Sequence, residues 1–416
     1  MKELTESDID EANKMAVERV LSAECRLVDI EPAIRVIPRF KSNLVTYAGP
    51  PINWERMCRP QKLAIVNMII HEGLADNADE AEKLAQSGEV AIEPNHHYGN
   101  VSGMCGVTSA SLPVFVIENG VHGNIAYNWQ QTDLTAFGDK HEKIKEVEFV
   151  KETLAPVMKA TIKEAKGIDL KEMLAKGLQM GDELHGSFEA CRGMFINWIL
   201  PHIVKTGFPK DTLSQVGSYF LSKEGRWYCG NLMMAACKAM MDTARGIEYS
   251  TVVTAMSRNG VEFGIQVSGL GDRWFTGPAG VIRGYTFPGY RPEDSTLDIG
   301  DSAISETRGL GGTATPASPG HARFMGESFQ EAINHTKLMR EVSVAEDSMF
   351  RIPYLDFAGV PVGIDIRKVV ETGIVPKINT AMAHKEGGHS IIGAGVASAP
   401  IECFKKALRA FVEKYE

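Results

Sequence analysis

Apolar positions recur every three or four residues in several stretches, the spacing that lines one face of a helix. In Glu6–Leu21 that face carries Ile9, Ala12, Met15, Ala16 and Val20. Pro60–His71, ended near Gly73, and Ala78–Ala85 repeat the pattern. Arg26–Ile37 predicts strand material bent around Pro32. A Gly/Ser/His-rich loop beginning at Glu93 feeds Pro113-Val-Phe-Val-Ile117, a buried-strand run.

Helical spacing then becomes continuous. His141–Lys166 sets Ile144, Val147, Val150, Leu154, Val157, Met158 and Ile162 on one face and closes with Gly167. Asp169-Leu-Lys-Glu172 opens the next helix as an acidic analogue of a capping box. Further helices are predicted near 187–205, 211–223 and 228–245, the last rich in Met and Ala. Period-two alternation resumes at Ser250, with strands over Thr251–Ala255 and around Val261, Phe263, Ile265 and Val267, followed by Gly-rich turns. A final helix has Pro400 in its first turn. These patterns predict an α+β fold: two mixed α/β modules, 1–140 and 247–416, with an all-helical subdomain, 141–246, inserted between them.

At 416 residues the chain can bury a large core. With 44 Lys and Arg against 53 Asp and Glu, its net charge of −9 gives no general drive toward a phosphate backbone, so nucleic acid is not an expected partner. No apolar run approaches the ~20 residues of a membrane span, and the acidic N-terminus lacks the pattern of a cleaved signal. A cytoplasmic chain is expected. Its seven scattered cysteines point to reduced thiols rather than a disulfide frame.

Candidate chemistry clusters in a few segments. His96 and His97, with His122 farther on, suit metal ligation, substrate contact or a structural role. In Gln179–His185 a helical reading places Asp182 and His185 one turn apart on one face, beside Glu183, as an acid–base pair or as metal ligands. Arg258 and Asn259 close a strand, where a guanidinium fork and an amide can hold a carboxylate or phosphate; Asn259-Gly260 also suits a hairpin turn. The segment Asp298–Thr307 packs Asp301, Ser302, Glu306 and Thr307 together, a density that serves either catalysis or backbone capping. Asn379, His384 and Lys385 lie near Gly-rich turns whose amides can form anion nests. Gly393-Ala-Gly395 only partly matches the dinucleotide fingerprint and is read as a tight strand-to-helix turn.

The wording and order of several blocks are distinctive: EPNHHYGNVSGMCGVTSASLPVFVIEN, IDLKEMLAKGLQMGDELH, AMSRNGVEFGIQVSGLGDRWFTGPAG, DIGDSAISETRGLGG and VVETGIVPKINTAMAHK. From about residue 25 onward the chain resembles the YlbE-like bacterial family. One member of that family belongs to an allantoin-degradation cluster whose assembly is associated with oxamate carbamoyltransferase activity, beside an FdrA-like protein and a carbamate kinase. The resemblance implies carbamoyl or related amide chemistry within a multi-protein complex. The chain departs from the family at Gly103–Gly106, Thr135–Gly138, Gly186–Phe188 and Thr313–Arg323, positions expected to line the pocket.

The resulting expectation is an enzyme or enzyme subunit acting on a small amide or ureido carboxylate, with a metabolite-binding scaffold or regulatory subunit as the alternative. His96, His97, His185 and His384, with Asp182, Glu183, Asp301 and Glu306, are the acid–base candidates. Arg258, Asn259 and Lys385 are the anion clamp, and Asn119, Ser302, Thr307 and Asn379 are further substrate contacts. No metal set is assigned and no cofactor class follows. The expected partners are a small anionic substrate, with carbamoyl phosphate as a candidate, further copies of the chain, and FdrA-like proteins.

Overall fold

A computed structural model describes residues 4–130, 140–389 and 391–415. Helices and several separate sheets alternate along it, an α+β arrangement. The first helix, Glu6–Ser22, starts at a reciprocal capping box between Thr5 and Asp8 and buries Ala12, Ala16, Val17 and Val20. The next segment is a strand only over Cys25–Pro32; Ala33–Val36 turns into a short helix.

Cys25–Pro32 pairs antiparallel with Pro113–Asn119, which pairs in turn with Ile125–Trp129. The fourth strand of this sheet, Ile168–Asp169, comes from within the long helical stretch. Asp169 then caps the helix Leu170–Gln179 through the amide of Glu172. The helices Ala155–Glu164, Leu170–Gln179, Glu189–Ile203 and Tyr228–Met241 share one hydrophobic core with this sheet. Every residue of Tyr228–Met241 is buried, which accounts for its Met- and Ala-rich composition: small and flexible apolar side chains fill the space between sheet and helices.

The C-terminal part builds on the hairpin Val253–Asn259 and Glu262–Val267. Its core includes Val253, Phe263, Ile265, Phe404 and Phe411, the last two from the helix Ile401–Tyr415. Three strands form a further sheet: Lys377–Met382 pairs with Gly393–Ser398, which pairs with Arg283–Thr286. Gly393-Ala-Gly395 therefore lies inside a strand and not in a strand-to-helix turn. A Cβ on Gly395 would stand 2.3 Å from the carbonyl oxygen of Arg283, so the neighbouring backbone excludes any side chain there.

Candidate active site

Residues 181–188 are not helical; after Gly181, at φ +113°, the chain runs irregularly to the helix Glu189–Ile203. Asp182 and His185 therefore do not share a helical face. The Asp182 carboxylate instead accepts the amides of Ala190 (3.2 Å) and Cys191 (2.8 Å) and caps that helix. Burial raises its pKa despite those bonds.

Glu183 and His185 turn to different partners. His185 Nδ1 lies 2.8 and 3.0 Å from the two carboxylate oxygens of Glu306, which is fully buried. Glu306 is fixed in turn by the amides of Gly312 (2.8 Å) and Asn379 (3.2 Å) and by the Ser305 hydroxyl (2.8 Å). Gly311, at φ +57°, makes this approach possible, because a Cβ there would fall 2.2 Å from Glu306 Oε1.

Glu183 forms a second pair, its Oε1 standing 3.1 Å from His321 Nε2. The same oxygen accepts the amides of Gly186 and Ser187. Burial alone would raise the Glu183 pKa, but His321, His185 and the Gly186 amide outweigh it and hold the carboxyl below its ordinary value. The two pairs are tied together, since the Gly311 amide donates to the Glu183 carbonyl at 2.8 Å. Gly186 leaves room for the second pair: a Cβ would meet the His321 ring at 2.6 Å.

Both imidazoles line one cavity of about 180 Å³. Its walls are largely apolar, including Met104, Phe188, Trp227, Met233, Phe324 and Ile391. Polar groups enter from Asn231, Ser302, Asn379 and Thr380. Asn379 donates through Nδ2 to Thr315 at 3.0 Å, while its buried Oδ1 has no hydrogen-bond partner. Among the described residues no Lys or Arg lines the cavity. His321 was not among the expected site residues, although Gly103, Met104, Gly186, Phe188 and His321 all come from segments expected to line the pocket. Thr135–Gly138, also expected there, lies outside the described residues.

Several other candidates stand elsewhere or are occupied. Arg258, expected to clamp the substrate's anion, is fully buried and bidentate to Asp298, with Nε–Oδ2 at 2.8 Å and Nη2–Oδ1 at 2.9 Å. Its remaining donors reach the Gly300 carbonyl, Ser302 and Thr380, so the guanidinium is taken up inside the protein. Asn259 forms the hairpin turn, its Oδ1 accepting the amides of Val261 and Glu262 and its Nδ2 donating to the Pro50 carbonyl. Asn119 similarly orders the turn before Ile125–Trp129 by accepting the amides of Val121 and His122. Thr307 bonds back to the Ala303 carbonyl.

His96 and Asp301 form a separate buried cluster. Their Nε2 and Oδ1 atoms are 3.5 Å apart, and the imidazole packs edge-on against Trp274. Burial drives the His96 pKa well below its ordinary value and raises that of Asp301, which accepts bonds from Gly49, Asn95, Ser102 and Ser257. Asp301 thus stitches N-terminal loops to the C-terminal hairpin. His97 is half-exposed beside Glu93. His384 stacks on His389 at 4.2 Å, and Lys385 donates to the Glu293 carbonyl; none of these lines the cavity. Among the described residues no group of three His, Cys, Asp or Glu side chains is placed to hold a metal ion.

An α+β protein with two carboxylate–imidazole pairs converging on a small apolar cavity is equipped for acid–base chemistry on a small molecule. The chain belongs to the family described as oxamate carbamoyltransferase subunit AllG, which matches over residues 90–302. It is 39% identical to the oxamate carbamoyltransferase subunit AllG of Escherichia coli K12, over 98% of both chains. It is also 42% identical to the uncharacterized protein YahG of the same organism, over 97% of this chain and 86% of that one. A crystal structure of a conserved protein of unknown function from Enterococcus faecalis V583 has a TM-score of 0.94 at 39% identity, covering 98% of both chains.

Proposed function

We propose that this chain is the subunit of a carbamoyltransferase assembly that handles the transferred group, with oxamate or a related small amide as acceptor. The observation that carries this reading is the convergence of Glu306–His185 and Glu183–His321 on one cavity. Carbamoyl transfer needs a proton removed from the attacking amide nitrogen and one supplied to the departing oxygen. Two imidazoles, one oriented by its hydrogen bonds to Glu306 and the other paired at 3.1 Å with Glu183, provide both functions. The subunit status of the Escherichia coli relative supports a partner-bound form of this chain; an FdrA-like protein is the partner we propose.

The test is oxamate-dependent consumption of carbamoyl phosphate by the full chain, purified with its accompanying proteins. Loss of that activity in His185→Gln and in His321→Gln, with thermal stability retained, is the expected result. Undiminished activity in both variants would assign the chain a scaffolding role.

A further inference from the structure

We infer that His185 carries the transferred carbamoyl group covalently, as an Nε2-carbamoyl-imidazole formed in one half-reaction and discharged in the next; this rests on the carbamoyl-transfer reading above. His185 Nδ1 is engaged by Glu306 and Ser305, which leaves Nε2 as the ring nitrogen available at the cavity. Few other lining atoms compete with it as a nucleophile. Among the described residues no Cys or Lys lines the cavity, and the hydroxyls of Ser302 and Thr380 are held against the Arg258 guanidinium at 3.3 and 3.2 Å. His321 Nε2 stands 3.1 Å from Glu183 Oε1, an ion-pair contact without an aligned hydrogen bond.

The pocket also matches the group to be carried. A carbamoyl group is small, planar and uncharged, and its NH2 seeks an acceptor. Asn379 Oδ1 is a buried acceptor without a partner in a residue that lines the cavity. The Thr315 hydroxyl gives its proton to the Gly311 and Gly312 carbonyls, so it can only accept from Asn379, which makes the atom facing it Nδ2. At about 180 Å³ the cavity suits molecules as small as carbamoyl phosphate and oxamate. The largely apolar walls around His185 lower the water available to hydrolyse an acyl-imidazole.

In the first half-reaction the Nε2 lone pair attacks the carbonyl carbon of carbamoyl phosphate. The C–O bond to phosphate breaks with its electron pair leaving on the oxygen, and a proton from His321 completes the phosphate. The ring keeps its Nδ1 proton, and the Glu306 carboxylate balances the positive charge formed. In the second half-reaction the amide nitrogen of oxamate attacks the same carbon and gives its proton to His321. The C–Nε2 bond then breaks and returns its electron pair to the ring.

The experiment incubates the full chain, with its accompanying proteins, with carbamoyl phosphate labelled in the carbamoyl carbon and no acceptor. Rapid denaturation and peptide mapping follow. We expect one labelled carbamoyl group per chain, on the peptide containing His185, released on addition of oxamate and absent in His185→Gln. Mapping on the unaltered chain keeps the test independent of whether that variant folds. Transfer to oxamate without labelled protein, or label on another residue, would overturn the carrier role while leaving the carbamoyl-transfer reading in place. Neither label nor transfer would overturn both.

Discussion

Glu306 and His185 stand 121 positions apart in the chain and meet at 2.8 Å. Neither element is long: Glu306 sits in the single helical turn Ile304–Thr307, and His185 in an irregular segment between two helices. Their contact is instead defined by backbone, because the amides of Gly312 and Asn379 fix the carboxylate before the imidazole reaches it. A carboxylate held by main-chain donors cannot rotate away as the histidine changes charge, which is what orienting a catalytic imidazole requires.

Glu306→Gln should preserve volume and the two amide contacts while removing the charge that orients His185. We expect kcat for carbamoyl transfer to fall by about 10²–10⁴-fold, the range for an acid–base group or its orienting carboxylate. Tm should change little by comparison. Steady-state kinetics beside a thermal melt would check this, and an unchanged kcat would show that the pair is structural.

Gly311→Ala places a methyl group 2.2 Å from Glu306 Oε1, at a φ of +57°. Backbone conformation and overpacking act together, so a loss of about 1–3 kcal/mol in stability is expected. Because the atom displaced belongs to Glu306, activity of the folded fraction should fall as well. Denaturant titration combined with kinetics at a temperature well below Tm separates the two effects.

These contacts show which parts of the molecule its sequence reveals. Helices such as Glu6–Ser22 and Lys210–Leu221 were legible because a buried stripe imposes a 3.6-residue period. Gly393–Ser398 was not, since its glycines supply no side chain to alternate and let strands approach, and Lys377–Met382 was not, since three consecutive buried residues, Ile378-Asn-Thr380, break any alternation. Glu183, His185 and Glu306 stood out because short polar runs interrupt apolar surroundings. His321 lies in the six-residue helix Pro319–Phe324, too short to show a face, and its partner is far away in sequence. Arg258 was visible as a strong anion ligand, but whether its anion was a substrate or Asp298, 40 positions on, depended on the tertiary fold.

Asp298→Asn tests that last assignment. The change leaves a fully buried guanidinium without its charge partner, a loss of about 3–5 kcal/mol when one member of a buried pair is removed. We expect a markedly lower Tm, with substrate KM in the folded fraction little changed. A raised KM at unaltered Tm would restore Arg258 as an anion clamp.

His335 supplies a stability switch in acid that is independent of the cavity. Its imidazole is buried, and Nε2 accepts the backbone amide of Lys377 at 3.2 Å, so the ring is neutral in the folded chain. Burial, reinforced by the nearby Lys377 charge, lowers its pKa from 6.5 to about 3. Above pH 6.5 the ring is neutral in both folded and unfolded chains, and its contribution to stability is fully present. As pH falls from 6.5 toward about 3, the unfolded chain binds a proton that the folded chain refuses. Stability is then lost at up to about 1.4 kcal/mol per pH unit, levelling off below the folded value. His335→Gln keeps an acceptor for the Lys377 amide but cannot titrate. Its denaturant midpoint should therefore fall less steeply than that of the unaltered chain between pH 6.5 and 4.5, while carboxylates common to both proteins cancel in the comparison. Parallel curves over that interval would mean that His335 gains its proton in the folded state as readily as in the unfolded one.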